Sequence, residues 1–288
     1  MKKELLFKDI NIRDPFILSD GGKYYMYGTG GSVNFGENYG FGVYVSDDLV
    51  HWSEPKTVFE KKDGFWGTMN YWAPEVHKYG GRYYMFATFK SETACRGTQI
   101  LVCDRPDGEF VPLTDGPITP RDWECLDGTL YVDEEGKPYI VFCHEWLQVH
   151  DGEMCAMELT PDLKYAVGAP TLLFRASDPA WADKGKVDYV TDGPFFCKTS
   201  SGRPLMIWSS FANGNYVEAM AYPEDGNILG KWHHANKLLF EKDGGHGMVF
   251  DSYDGQKYFV YHCPNTASFE RPALKKVKEV NGLLEIDE

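Results

Sequence analysis

The chain has 288 residues, 43% of them apolar and 15% aromatic, so a large core is within reach and disorder is excluded. Asp and Glu number 43 against 29 Lys and Arg. The resulting charge of −14 repels nucleic-acid phosphates and anionic membranes, so neither is expected as a partner, and a neutral one is. Seven cysteines without a Cys-x-x-Cys pair argue against a disulfide framework and against a zinc site of common spacing. The opening MKKELLFKDI holds only a short apolar run, and no later run approaches membrane-spanning length. The expected location is therefore cytoplasmic, or secreted if a leader has been removed.

Taken in order, one phrase recurs five times: a small or acidic residue, an apolar strand, a Gly-containing polar turn, and an aromatic second strand. The copies are DPFILSDGGKYYMYGT from Asp14, APEVHKYGGRYYMFAT from Ala73, DGTLYVDEEGKPYIVFCH from Asp127, DGPFFCKTSSGRPLMIWSS from Asp192 and HGMVFDSYDGQKYFVYHC from His246. Third-strand candidates follow the hairpins, such as GFGVYVSDD near Val43 and TQILVCD near Leu101, and then a more polar fourth segment, as around Trp52 and Trp232. Four short antiparallel strands repeated five times predict an all-β, five-bladed β-propeller. No linker or sustained helical period interrupts it, so residues 1–288 are expected to form a single domain, with the first and last segments closing the ring by β-pairing.

In a propeller the innermost strands line a central channel, so the five repeat starts are expected to converge there. They are Asp14, Ala73, Asp127, Asp192 and His246. One Asp before Pro or Gly is usually a turn residue. Three acids at matched positions are costly, because like charges raise one another's pKa, and they suit a site that needs carboxylates of divergent pKa.

The pieces RDPFIL, YWAPEV and LDGTLYVDEEGKPYIVF, in that order, resemble glycoside hydrolase family 43, from Arg13-Asp14-Pro15 to Glu270-Arg271-Pro272. The resemblance implies an inverting glycosidase on arabinose- or xylose-containing glycans, of the α-L-arabinofuranosidase or β-xylosidase type, with an oligosaccharide or polysaccharide substrate and no required cofactor. Exo-action or side-chain removal is expected; oligomeric state is not readable. By position Asp14 resembles the general base that activates water, and Asp127 the helper carboxylate that orients the acid. The family's acid is a Glu in Glu-Gly-Pro, and this chain has Asp192-Gly193-Pro194. An Asp reaches roughly 1.5 Å less far. Three outcomes stay open: Asp192 is the acid, Glu145 of FCHEW replaces it, or the chain is no competent hydrolase. The rival readings are a non-catalytic sugar-binding propeller and a related propeller glycosidase or phosphorylase.

The resemblance also puts His246 in the channel beside a bound cation or water, leaving room for Ca²⁺ there; a histidine bonded to Asp127 is the plainer alternative. No Ca²⁺-loop motif is present, so waters would hold such an ion. Trp72 and Trp146 are the better candidates for stacking on sugar, against Trp208 and the Phe65-Trp66 pair, and Arg271 resembles a substrate-contacting arginine. HEWLQVH fails as HExxH because Gln148 replaces the second His, and the segment reads as strand.

Overall fold

A computed structural model describes residues 4–30 and 40–287. Five antiparallel sheets form the blades of a propeller, and the inner strands of successive blades pack against one another around the ring. Blade two comprises Met69–Tyr79, Arg82–Ser91, Ala94–Cys103 and Val111–Pro112, and blade three Cys125–Val132, Pro138–His144, Glu153–Leu159 and Ala166–Arg175. Blade four comprises Asp192–Lys198, Pro204–Ala212, Asn215–Pro223 and Trp232–His234, and blade five Gly245–Asp251, Lys257–Cys263, Arg271–Val280 and Leu283–Ile286. Blade one begins with Ile12–Asp20, Lys23–Gly30 and Gly40–Ser46. Its fourth position is divided between His51–Ser53 and Lys56–Glu60, and Glu4–Leu6 adds a strand outside His51–Ser53.

The hairpins that recur in the sequence turn through left-handed glycines at matched places, Gly22, Gly81, Gly136, Gly202 and Gly255, with φ between 78° and 84°. Between blades the aromatic residues interlock. Phe41 of blade one meets Phe89 of blade two edge-on at 5.8 Å, and Trp208 of blade four, fully buried, lies 5.1 Å from Phe174 of blade three. Trp208 is thus core and has no access to a ligand. All seven cysteines are free thiols.

Two expectations need correction. Among the described residues, no ladder joins the first segment to the last blade, because Glu4–Leu6 pairs within blade one. Side chains close the ring instead. Asn11 Nδ2 donates to the Glu270 carbonyl at 2.8 Å, Arg13 pairs with Glu270 at 3.3 Å, and the Tyr24 and Ser252 hydroxyls meet at 2.6 Å. Second, the segment after His144 is not strand: Trp146–Val149 is one turn of helix. Gln148, which replaces the metal-binding histidine of HExxH, accepts a bond from His144 Nε2 at 2.8 Å.

Candidate active site

Each inner strand breaks its ladder just inside its start, skipping two residues between Arg13 and Phe16, Trp72 and Glu75, Leu126 and Thr129, Asp192 and Phe195, and Gly245 and Met248. The first skipped residue is left-handed every time: Asp14 (φ 53°), Ala73 (43°), Asp127 (55°), Gly193 (51°) and His246 (48°). For an L-residue this conformation costs roughly 1–2 kcal/mol and persists only where the surroundings fix it. A side chain on the second strand of the preceding blade does so by accepting the bulge N–H. Thr29 Oγ1 takes that of Ala73 at 2.8 Å, Thr88 Oγ1 that of Asp127 at 2.9 Å, Ser209 Oγ that of His246 at 2.6 Å, and His262 Nδ1 that of Asp14 at 3.3 Å. In blade three the matching place holds Cys143, and the Gly193 N–H goes to Asp127 Oδ2 at 3.1 Å.

This ring corrects the matched start of blade four, which is Gly193 and not Asp192. A Cβ at Gly193 would lie 2.6 Å from the His246 ring, so blade four presents its acid from the residue before the bulge.

Asp14, Asp127 and Asp192 nevertheless converge with Glu145, Trp72, Trp146 and His246 on one cavity of about 390 Å³. Asp14 Oδ2 accepts from Thr29 Oγ1 at 2.6 Å, while Oδ1 faces His246 Nδ1 at 3.2 Å and Arg13 Nε at 3.4 Å. Burial would raise this carboxyl, but His246, Arg13 and the Thr29 hydroxyl more than offset it and hold it below the usual range. His262 Nδ1 accepts the Asp14 amide and so carries no proton; burial and Arg13 push its pKa down to about 3, leaving a neutral ring.

Asp127 and Asp192 move the other way. Burial raises both; the Asp192 and Asp14 charges lift Asp127 further, to about 8, and the Asp14 charge adds to Asp192, with His246 opposing in each case. The Gly193 N–H steadies Asp127, and Tyr216 donates to Asp192 Oδ2 at 3.0 Å. The site therefore sets one carboxyl held below its usual range against two held above theirs, the divergence that acid–base chemistry requires. Glu145 is 6% exposed and forms an ion pair with Arg96. Arg96 stacks on Trp72 at 4.5 Å and reaches Asn70 Oδ1 at 3.3 Å. Burial still lifts the Glu145 carboxyl above its ordinary range, with Arg96 opposing.

His246 sits between Asp14 and, at 3.7 Å, Asp127. Burial disfavours charging its ring, yet Asp14, Asp127 and Asp192 push its pKa up to about 9. Among the described residues, no group of three His, Cys, Asp or Glu side chains is arranged to hold a metal ion, so the residues present do not fit a directly ligated Ca²⁺.

Arg271 does not border the cavity: its NH1 donates to the Glu270 carbonyl, while the neighbouring Glu270 lines the wall and pairs with Arg13. Sequence reasoning missed Arg96, Tyr216 and the Thr29–Thr88–Ser209–His262 ring. The last group had a signal, since the quoted repeats run to Thr29, Thr88, Ser209 and His262–Cys263, always at the second-strand end. It also missed Glu218, fully buried, whose Oε2 accepts from Ser209 Oγ at 2.9 Å and from the Gly247 N–H at 3.1 Å. Burial pushes its pKa up to about 8.

The fold and the carboxyl cluster define a propeller of the carbohydrate-hydrolase kind. The chain belongs to glycosyl hydrolases family 43, whose model matches residues 8–280. Among solved structures it is similar to an endo-arabinase from Bacteroides thetaiotaomicron VPI-5482, with 41% identity, a TM-score of 0.88, and 96% of this chain and 98% of that one covered. A thermostable family-43 glycoside hydrolase shares the fold at TM-score 0.84 and 24% identity, over 99% of this chain and 96% of that one. Of curated proteins, the extracellular endo-alpha-(1->5)-L-arabinanase 1 of Bacillus subtilis (strain 168) is 23% identical over 185 residues, 57% of this chain and 56% of that protein. The Xylosidase/arabinosidase 43A of Humicola insolens is 25% identical over 153 residues, 49% of this chain and 46% of that protein. The chain thus spans about half the length of the curated relatives it matches.

Proposed function

We propose that the chain is an inverting glycoside hydrolase that cleaves arabinofuranosyl linkages in arabinose-containing glycans, acting within chains. The observation that carries the hydrolase reading is the opposed poise of Asp14 and Asp192 across one cavity. The arabinose preference and the endo mode rest on the 41% identical endo-arabinase, and they replace the exo-type expectation. Asp14, ionised beside Arg13 and His246, takes a proton from the water that attacks the anomeric carbon. Asp192 delivers its proton to the leaving oxygen as the glycosidic bond breaks. Asp127, raised by burial and by the Asp192 and Asp14 charges, is fixed by the Gly193 amide beside the acid and orients it. Glu145 is assigned to Arg96, with which it pairs, and so to holding Trp72 and the cavity wall rather than to proton transfer.

The test is reducing-sugar release from linear arabinan together with hydrolysis of aryl arabinobiosides of differing leaving group. Asp14→Ala abolishes both. Asp192→Asn abolishes release from arabinan but retains most turnover of a dinitrophenyl arabinobioside, which needs no acid, whereas Glu145→Gln weakens both alike. The reverse pattern would make Glu145 the acid. Binding of arabinan without turnover of any glycoside would instead identify a sugar-binding propeller.

A further inference from the structure

A second cavity, of about 490 Å³, lies on the far side of blade two from the catalytic pocket. The strand Ala94–Cys103 runs between them: Cys95 and Gln99 border this cavity, and Arg96, between those two along the strand, borders the catalytic one. One wall is aromatic. Phe65 and Trp66 pack against the core on their inner side, with Phe65 5.0 Å from Phe89, and present their remaining surface to the cavity.

The indole is fixed by a relay of buried polar groups. Trp66 Nε1 donates to Gln99 Oε1 at 2.6 Å, and Gln99, 1% exposed, donates through Nε2 to the Thr114 carbonyl at 2.6 Å. The opposite wall is polar. Arg121 NH2 donates to the Asp115 carbonyl at 2.8 Å, and Gly116 (φ 106°) stands where a Cβ would come 3.5 Å from that guanidinium and 4.0 Å from Trp66. Glycine there keeps the space between ring and guanidinium open. Lys62 and Arg121 are matched by Asp63 and Asp115 on the lining, so the cavity selects no net charge.

An immobilised aromatic face opposite balanced hydrogen-bonding groups suits a neutral polyhydroxylated ring. We propose that this cavity is an accessory saccharide site that holds a distal stretch of the same arabinan chain whose cleaved bond lies in the catalytic pocket. It rests on the arabinan-hydrolase reading for the identity of its ligand, and on the shared strand for its connection to the pocket.

The test uses Trp66→Ala and Arg121→Ala, the second at an exposed side chain whose loss leaves the core intact. In the wild-type background, either change raises the KM for linear arabinan by about tenfold, the worth of one aromatic contact, with kcat unchanged. The KM for the dinitrophenyl arabinobioside, too short to reach across blade two, stays as in wild type. In an Asp14→Ala background, retardation of the protein in an arabinan-containing native gel is lost with either change. Unchanged KM for arabinan and unchanged retardation in both variants, with wild type still hydrolysing arabinan, would overturn the accessory site alone. Failure of wild type to turn over any arabinoside would remove the reading on which it rests.

Discussion

Gly193→Ala tests whether the geometry around His246 governs activity. The new Cβ would lie 2.6 Å from His246 Cδ2 and 2.7 Å from Cγ, where carbon contacts settle at roughly 3.5–4.0 Å, so the ring must retreat by about 1 Å. Its Nδ1 is 3.2 Å from Asp14 Oδ1, and that retreat breaks the contact that helps keep Asp14 ionised. The left-handed backbone adds roughly 1–2 kcal/mol, and overpacking roughly 1–3 kcal/mol. A displacement of about 1 Å among catalytic groups costs about 10²-fold in rate. The expected result is kcat on linear arabinan down by about 10²-fold at 25 °C, with a Tm lowered by roughly 5–10 °C. Gly202→Ala is the control: its φ is 84° with nothing within 4 Å of the new Cβ, so it carries the backbone cost alone. Wild-type kcat in Gly193→Ala, or an equal loss in Gly202→Ala, would refute the reasoning.

Two further predictions concern buried protons. Glu218→Gln keeps an oxygen for Ser209 and the Gly247 amide, so activity should stay within about twofold; Glu218→Leu leaves both donors unpaired, at roughly 1–3 kcal/mol each, and kcat should fall with His246 loosened. Equal losses in the two variants would show that only packing matters there. In pH-dependent melts, the raised His246 (from 6.5 to about 9) and Glu218 (from 4.5 to about 8) both mean that the folded state binds more protons. Their contributions are complete below the unfolded values and are lost as pH rises through the folded ones, so Tm should decline from about pH 4.5 to about pH 9, with Glu218 acting over the lower part and His246 over the upper. His246→Gln should flatten the upper part of that decline. Asp14, lowered in the fold, acts at the other end, its contribution being lost as pH falls below its folded value. A Tm rising between about pH 4.5 and pH 9 would contradict these assignments.

The blades were legible because each hairpin repeats its own turn chemistry locally. The fourth start was misplaced by one residue because Asp127-Gly128 and Asp192-Gly193 look alike, yet only in the former is the Asp left-handed. Aligning prolines would have found the offset: Pro15, Pro74 and Pro194 all fill the second bulge position, which puts Gly193 beside Asp14 and Ala73. Arg96 and Glu145 were beyond such reading. They sit 49 residues apart on different blades, and nothing local in either segment names its partner. Arg271 was displaced by Glu270 for a similar reason, since the resemblance supplies a residue type but not which neighbour faces inward.

Closure of the ring by side chains has a consequence for the order in which the protein becomes an enzyme. Asp14 belongs to the first blade, but its amide finds its acceptor in His262, 248 residues later, and His246 and the Arg13 partner Glu270 come with the same fifth blade. A nascent chain, or one clipped before blade five, carries the proposed base without the groups that hold its pKa down. Competence of the proposed base thus waits on the fifth blade, and severing that blade would silence a residue of the first blade without touching it.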